Sequence, residues 1–252
     1  MAWLQLTYGP HPLHTADLHL PTPQSPDARP PPVIVFVHGG AWRSEDKSDH
    51  VALAQRLAAK THCAVAVPNY RLSAGDTEPL HHPAHAPQYD PTRLVLVGHS
   101  CSAHMIAAIV LDSNAHTPAL APPPPLRAAI KAVVLSEGIY DLERLLRAFP
   151  SYRAWFVAPA FGAGPLDRFD VSKYPLRAGR GAPWLIVHSA GDTLIDQAQS
   201  EVMYDHLRAI HAGDAEALVH KSLGVLTAEH DEILQGDAYV QIVADFVAAS
   251  LE

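Results

Sequence analysis

Residues 94–111 constrain the chain most. Leu94, Val95, Leu96 and Val97 form a short unbroken apolar run, Gly98-His99-Ser100-Cys101-Ser102 follows, and Ala103-His104-Met105-Ile106-Ala107-Ala108-Ile109-Val110-Leu111 has the composition of a helix. A run of this kind is what a parallel strand covered on both faces looks like. The small residues between run and helix predict a tight strand-to-helix turn that lifts Ser100 above the sheet, next to a helix N-terminus that favours negative charge. The competing reading is a buried turn in which the serine is incidental. The stretch alone does not separate the two, because the G-x-S-x-G pattern of a raised serine ends here in Ser102.

The same grammar recurs along the chain. Trp3 to Tyr8 alternates as an edge strand, and a second strand is expected around Leu18-His19-Leu20. The proline-rich stretch from Pro21 to Pro32 is a surface connection, since proline lacks a ladder donor. Val33-Ile34-Val35-Phe36-Val37 then reads as an inner strand that runs into His38-Gly39-Gly40-Ala41-Trp42. Val51, Ala54, Leu57 and Ala58 make one helical stripe, and Cys63 to Val67 supplies the next strand, completing a βαβ unit. Further strands are expected at 128–135, 183–188 and 217–223, with helices over about 197–211 and 239–247. The predicted fold class is therefore α/β, with a central, mostly parallel sheet and helices on both faces.

Two features stand outside this alternation. The connection from Ser73 to Thr92 contains four prolines and no amphipathic stripe, so the crossover before the Ser100 strand is expected to be shortened, without its usual helix. His81, His82 and His85 cluster there, but without a carboxylate or cysteine partner set they do not make a metal site, and no metal or cofactor is expected. A single domain over residues 1–252 is expected, with segments 112–127 and 142–180 as candidate lid or cap pieces.

Glycines at 39 and 40, ending an inner strand, permit a backbone path that turns amides into a cavity beside Ser100. With the amide of Cys101 they would form an oxyanion hole. Trp42 is a candidate aromatic wall, and His38 is better placed to brace the loop than to act as a base. Asp192 lies just past a strand end, where a triad acid can meet a histidine from a later loop. Asp196, the competing acid, stands at a helix start and suits an N-cap. His230 follows in the chain order Ser, Asp, His characteristic of the α/β-hydrolase fold. Among 17 histidines this order singles it out. Ser100 needs a neighbouring imidazole to become nucleophilic, Asp192 would hold the tautomer of His230, and the Gly39, Gly40 and Cys101 amides would carry the tetrahedral oxyanion. The constellation predicts a metal-independent serine hydrolase. Cys101 as nucleophile is disfavoured, because the residue after the raised serine contributes its amide rather than its side chain.

Val37-His38-Gly39-Gly40-Ala41-Trp42, Pro68-Asn69-Tyr70-Arg71-Leu72, Tyr89-Asp90-Pro91, Gly98-His99-Ser100-Cys101-Ser102-Ala103-His104 and Glu137-Gly138-Ile139-Tyr140-Asp141 together resemble the kynurenine formamidase (arylformamidase) family, within the hormone-sensitive-lipase-like branch of the α/β-hydrolases. The resemblance runs from about Val33 to Phe246. It implies hydrolysis of N-formyl-L-kynurenine to kynurenine and formate, with Ser100, Asp192 and His230 as triad, Gly39 and Gly40 in the oxyanion hole, and Trp42 and Tyr140 as aromatic contacts to substrate. The departures are Ser102 in place of the usual glycine and the shortened crossover. The alternatives are a carboxylesterase acting on small acyl or aryl esters, and a catalytically impaired interaction protein on the same fold.

Composition limits the partners. A net charge of −8 without any lysine/arginine block gives no footprint for nucleic acid. No stretch approaches the roughly 20 apolar residues of a membrane span, and the first residues do not form a signal peptide. With only two cysteines a disulfide framework is not expected, which suits a cytoplasmic setting. The expected partner is a small aryl formamide or ester, with a homodimer left open.

Overall fold

The computed structural model describes residues 3–22, 29–73, 89–177 and 181–251. One sheet of eight strands runs β1 (Trp3–Thr7), β2 (Thr15–His19), β3 (Val33–Val37), β4 (Ala64–Pro68), β5 (Leu94–His99), β6 (Ile130–Ser136), β7 (Trp184–Ser189) and β8 (Val219–Leu226). Its spatial order is β1-β2-β4-β3-β5-β6-β7-β8. β1 pairs antiparallel with β2, Trp3 opposite His19, β2 pairs antiparallel with β4, Ala16 opposite Pro68, and β3 through β8 are parallel.

Helices cover both faces: α1 (Val51–Thr61), α2 (Cys101–Val110), α3 (Pro124–Ala129), α4 (Leu142–Ala148), α5 (Ala158–Phe161), α6 (Gln197–His211), α7 (Ala215–Leu218) and α8 (Asp237–Leu251). Alternation along the inner strands sorts the core into two layers. Val95, Val97, Ala132 and Val134 pack beneath α1 and α8 against Leu53, Leu57, Tyr239 and Val243. Val133 and Leu135 point the other way, onto Ala103 and Ile106 of α2 and Met203 and Leu207 of α6. The inner strands are apolar at nearly every position because both sides of each pleat are buried.

This is the α/β-hydrolase arrangement the sequence predicts. From β3 the chain moves outward to β4, then crosses back to β5 and continues in the opposite direction through β8. The strand order therefore reverses between β3 and β5, and a crevice at such a reversal, beyond the carboxyl ends of the strands, is where this class of sheet binds ligands. The two glycine- and serine-bearing turns leave the sheet at that point. Residues 74–88, which hold the expected helix-free crossover and the histidines at 81, 82 and 85, lie outside the described residues.

Candidate active site

Ser100 occupies the turn between β5 and α2 with φ 57° and ψ −124°, a left-handed backbone that a non-glycine residue adopts only under constraint. The constraint is visible. Ser100 N–H donates to Ser136 O of β6 at 2.8 Å, and Ala103 N–H turns back onto Ser100 O. A Cβ on Gly98 would stand 2.8 Å from Ser102 O, so a side chain before the turn has no room. After the turn the situation differs. Ser102 is completely buried, and its hydroxyl accepts from His99 N–H at 2.8 Å while Val37 O, at 2.5 Å, and His99 O are within reach of its proton. The hydroxymethyl group that departs from the usual glycine thus ties the ends of β3 and β5 together.

The β3 exit approaches the serine closely: a Cβ on Gly39 would lie 3.1 Å from Ser100 Cβ. Gly40 has φ +88°, and a Cβ there would collide with Ser44 O at 2.2 Å, so only glycine fits. Ala41 and Trp42 continue in left-handed conformations, φ 52° and 59°. Tyr70, in the exit of β4, donates to Gly39 O at 2.5 Å and lies 3.2 Å from His38 O. No peptide bond among the described residues is cis. In a trans peptide N–H and C=O point in opposite directions, so a hydroxyl holding the His38 and Gly39 carbonyls turns the Gly39 and Gly40 N–H groups away from itself. The Gly39 and Gly40 amides have no acceptor among the described residues, and Cys101 N–H stands in the first turn of α2, where no intrahelical acceptor exists. These three amides are left without an acceptor among the described residues. His38 braces this loop as expected, with Nδ1 3.2 Å from Gly39 O and its ring stacked on Tyr70 at 4.5 Å.

The opposite wall comes from the exits of β6, β7 and β8. Asp192 Oδ2 lies 2.7 Å from His230 Nδ1, and Asp192 Oδ1 accepts from the Leu194 and Ile195 amides at 2.8 and 2.9 Å. Burial works against the Asp192 carboxylate, but the His230 hydrogen bond and charge, with the two amides, outweigh it and hold its pKa below the ordinary range. Asp196 precedes α6 in the N-cap position, yet its side chain caps nothing and its Oδ1 has no partner. Glu137, which sequence reasoning did not single out, is completely buried beside the same ring, its Oε2 3.4 Å from His230 Nδ1. Its sequence signals are its place just past a strand end, the signal that marked Asp192, and its position at the head of the Glu137-Gly138-Ile139-Tyr140-Asp141 run.

Ser100 and His230 face one cleft of about 180 Å³. No direct hydrogen bond joins them, which is common for a catalytic pair before substrate is bound. Gly40, Ala41, Ser44, Glu45, Ile139, Tyr152, Trp155, Phe156, Leu194, Ile195 and Asp231 complete the lining. The aromatic wall is therefore built from residues 152–156, where Arg153–Val157 forms a π-helical turn within the expected cap. The two aromatic residues expected at the substrate sit elsewhere. Tyr140 is fully buried among Ala103, Trp184 and Met203. Trp42 packs behind the cleft on His104, Phe156 and Phe161. Segment 112–127 contributes no lining residue.

Cys101 is not a competing nucleophile. Burial pushes its thiol up to about 11, and its sulfur takes the Trp42 amide at 3.2 Å. Among the described residues two groups of side chains have metal-ligand atoms close together, His38/Glu45/His50 and His99/Glu137/His230. In the first, His50 is already bonded to Glu45 at 2.9 Å, and in the second His230 is bonded to Asp192 at 2.7 Å.

A serine on a strained turn, an acid-paired histidine and three directed amides at the crevice of an α/β-hydrolase sheet define a serine hydrolase of the esterase type. The chain belongs to the BD-FAE family, whose model matches residues 16–207. It is similar to the kynurenine formamidase of Meyerozyma guilliermondii, 28% identical over 243 residues that span 87% of this chain and 85% of that protein. It is also similar to the kynurenine formamidase of Eremothecium gossypii, 31% identical over 69% of this chain and 78% of that protein. In fold it matches esterase B from Lactobacillus rhamnosis, with a TM-score of 0.74, 15% identity, and 98% and 84% of the two chains covered. No helix among the described residues is long and apolar enough to cross a membrane.

Proposed function

We propose that this protein hydrolyses the formamide bond of N-formyl-L-kynurenine, releasing L-kynurenine and formate, as a formamidase within the hormone-sensitive-lipase-like esterases. Ser100 Oγ attacks the formyl carbon while His230 accepts its proton, and the Gly39, Gly40 and Cys101 amides hold the oxyanion. Asp192 fixes the His230 ring with Nδ1 protonated and stabilises the imidazolium. Collapse expels the aryl amine, which takes the proton from His230. Water then attacks the formyl-serine with His230 again as base, and formate leaves.

The observation that carries this reading is the combination of a small cleft with an aromatic wall. A space of about 180 Å³ at Ser100 suits the smallest acyl group, and Tyr152, Trp155 and Phe156 offer an aromatic leaving group flat surfaces to pack on. The formamidase relatives point the same way. A general esterase would use the same triad, so substrate preference separates the two. Turnover of N-formyl-L-kynurenine, followed by kynurenine absorbance, is expected to exceed that of p-nitrophenyl acetate and to fall below detection in Ser100→Ala. Ester cleavage without formamide cleavage would make the protein a carboxylesterase for small acyl esters, and turnover unchanged in S100A would remove Ser100 from the mechanism.

A further inference from the structure

His230 has two carboxyl groups at one ring nitrogen. Asp192 Oδ2 is 2.7 Å from Nδ1 and Glu137 Oε2 is 3.4 Å from it, and both side chains are fully buried. Two adjacent buried carboxyls do not both ionise, and the charge goes to the one with more donors. Asp192 has three, from His230, Leu194 and Ile195, whereas Glu137 has one, the Ser189 amide at 3.2 Å, and its Oε2 has no hydrogen-bond partner. The backbone keeps Glu137 in place. Its φ is 48°, and its N–H donates to Val187 O at 2.9 Å, so the residue is bound to β7 at both ends. Nothing else in the site uses this buried, unpartnered oxygen.

Resting on the Ser100–His230–Asp192 assignment, we infer that Glu137 is a reserve acid of the triad, a positioning residue that shares the Nδ1 edge of His230 with Asp192 and takes over its hydrogen bond when the Asp192 carboxylate is removed. In the intact protein Glu137 is neutral: burial, then the Asp192 charge, with smaller contributions from Asp231 and Glu229, raise its pKa to about 9 against the pull of the Ser189 amide. His230, Tyr140 and Tyr239 also face it, and His99 lies in the same cluster. Removing Asp192 takes away the nearest negative charge. Burial, the larger cause, remains, so Glu137 gives its proton to solvent only as pH rises through its lowered pKa, and its carboxylate then accepts the Nδ1–H of His230 in place of Asp192.

The test is a double-mutant cycle of Asp192→Ala and Glu137→Gln in the full chain. It is read by p-nitrophenyl acetate hydrolysis, by the rate at which a fluorophosphonate labels Ser100, and by their pH dependence. Loss of a triad acid without a substitute costs about 10⁴-fold. With Glu137 in reserve, D192A is expected to lose only about 10²-fold and E137Q less than about tenfold, while the double variant loses the full about 10⁴, a coupling well outside additivity. D192A should also acquire an acidic limb in its pH profile, from protonation of Glu137, that is absent in the double variant. A merely structural Glu137 would produce no such limb. Equal losses from E137Q in both backgrounds, or a D192A profile unchanged by E137Q, would overturn the inference. If the wild-type protein neither hydrolyses the ester nor labels at Ser100, the triad assignment itself fails. Proton NMR of S100A protein then decides the role of Glu137: the low-field Nδ1–H resonance of His230 should persist in D192A and vanish in D192A/E137Q, and its loss in both or its persistence in both would refute it.

Discussion

The Ser100 wall of the cleft is set by backbone and the His230 wall by side chains. On the first wall the groups proposed to work are three amides and a hydroxyl, fixed by glycines, left-handed residues at 40, 41, 42 and 100, and hydrogen bonds from Tyr70 and Ser102 to neighbouring carbonyls. On the second, Asp192, Glu137 and His230 come from the ends of three separate strands and meet only because β6, β7 and β8 lie side by side. Preorganised amides must be rigid to stabilise charge. A base that exchanges protons needs instead a balance of neighbouring charges. The first wall should therefore tolerate almost no change of shape, and the second should tolerate loss of a group where a neighbour can replace it.

The sharpest test of the rigid wall is Gly40→Ala. The added Cβ would meet Ser44 O at 2.2 Å in a backbone of φ +88°, so the loop must move and with it the Gly40 amide proposed as an oxyanion donor. Loss of one such donor costs about 10²–10³ in kcat. The expected result is a fall of that size with little change in KM, and a kcat near wild type would show that the Gly40 amide is not used.

Ser102→Gly sharpens the same wall from the other side. It restores the residue usual at this position in related motifs, yet it is expected to destabilise the protein by about 1–3 kcal/mol, because the His99 amide and the Val37 carbonyl lose a buried partner. Urea denaturation measures this. A variant as stable as the wild type would mean that the hydroxyl is an accommodated excess rather than a tie between β3 and β5.

The contrast between the walls also explains what could be read in the chain before folding. Ser100, Gly39 and Gly40 are legible because their constraints are local: a glycine where a Cβ collides and small residues where strand meets helix leave a mark within a few positions. Asp192 and His230 are legible only through their order after successive strands. Glu137 holds the same kind of position one strand earlier and heads the Glu137-Gly138-Ile139-Tyr140-Asp141 run, but that run does not distinguish an acid that faces a histidine from one that begins a loop. The aromatic contacts were harder still. Trp42 adjoins the glycines in sequence, but at φ 59° its ring packs on His104, Phe156 and Phe161. Tyr140 belongs to a promising motif, but it follows the sheet into the core. Side-chain direction in irregular segments depends on tertiary packing, which is why the wall made by Tyr152, Trp155 and Phe156 was foreseen only as a cap.

That wall sets a smaller effect. Trp155 is half exposed and lines the cleft, so Trp155→Ala removes aromatic surface without unfolding a core. An aromatic contact at a half-exposed position is worth about 1 kcal/mol, and KM for the aryl formamide is expected to rise by about fivefold. KM for an aliphatic acetate ester should hardly move. An equal change for both substrates would detach the wall from leaving-group recognition.

The last test separates the two carboxyls of the His230 wall by stability alone. Glu137 has a folded pKa raised to about 9, far above its value in an unfolded chain. Between the ordinary carboxylate range and about pH 9 the unfolded state is deprotonated while the folded state keeps the proton, so the unfolded state binds fewer protons and stability falls as pH rises. Asp192 runs the other way: its folded pKa is lowered, so its contribution is present above the unfolded value and is lost as pH falls through the folded one. Glu137→Gln keeps the shape and removes the titration. Its melting temperature relative to wild type is therefore expected to climb steadily from mildly acidic pH toward about pH 9. Asp192→Asn should be most destabilised near neutrality and approach wild type in acid. If E137Q and wild type instead keep a constant difference across this range, Glu137 is ionised in the folded protein, and the two carboxyls beside His230 do not divide one charge between them.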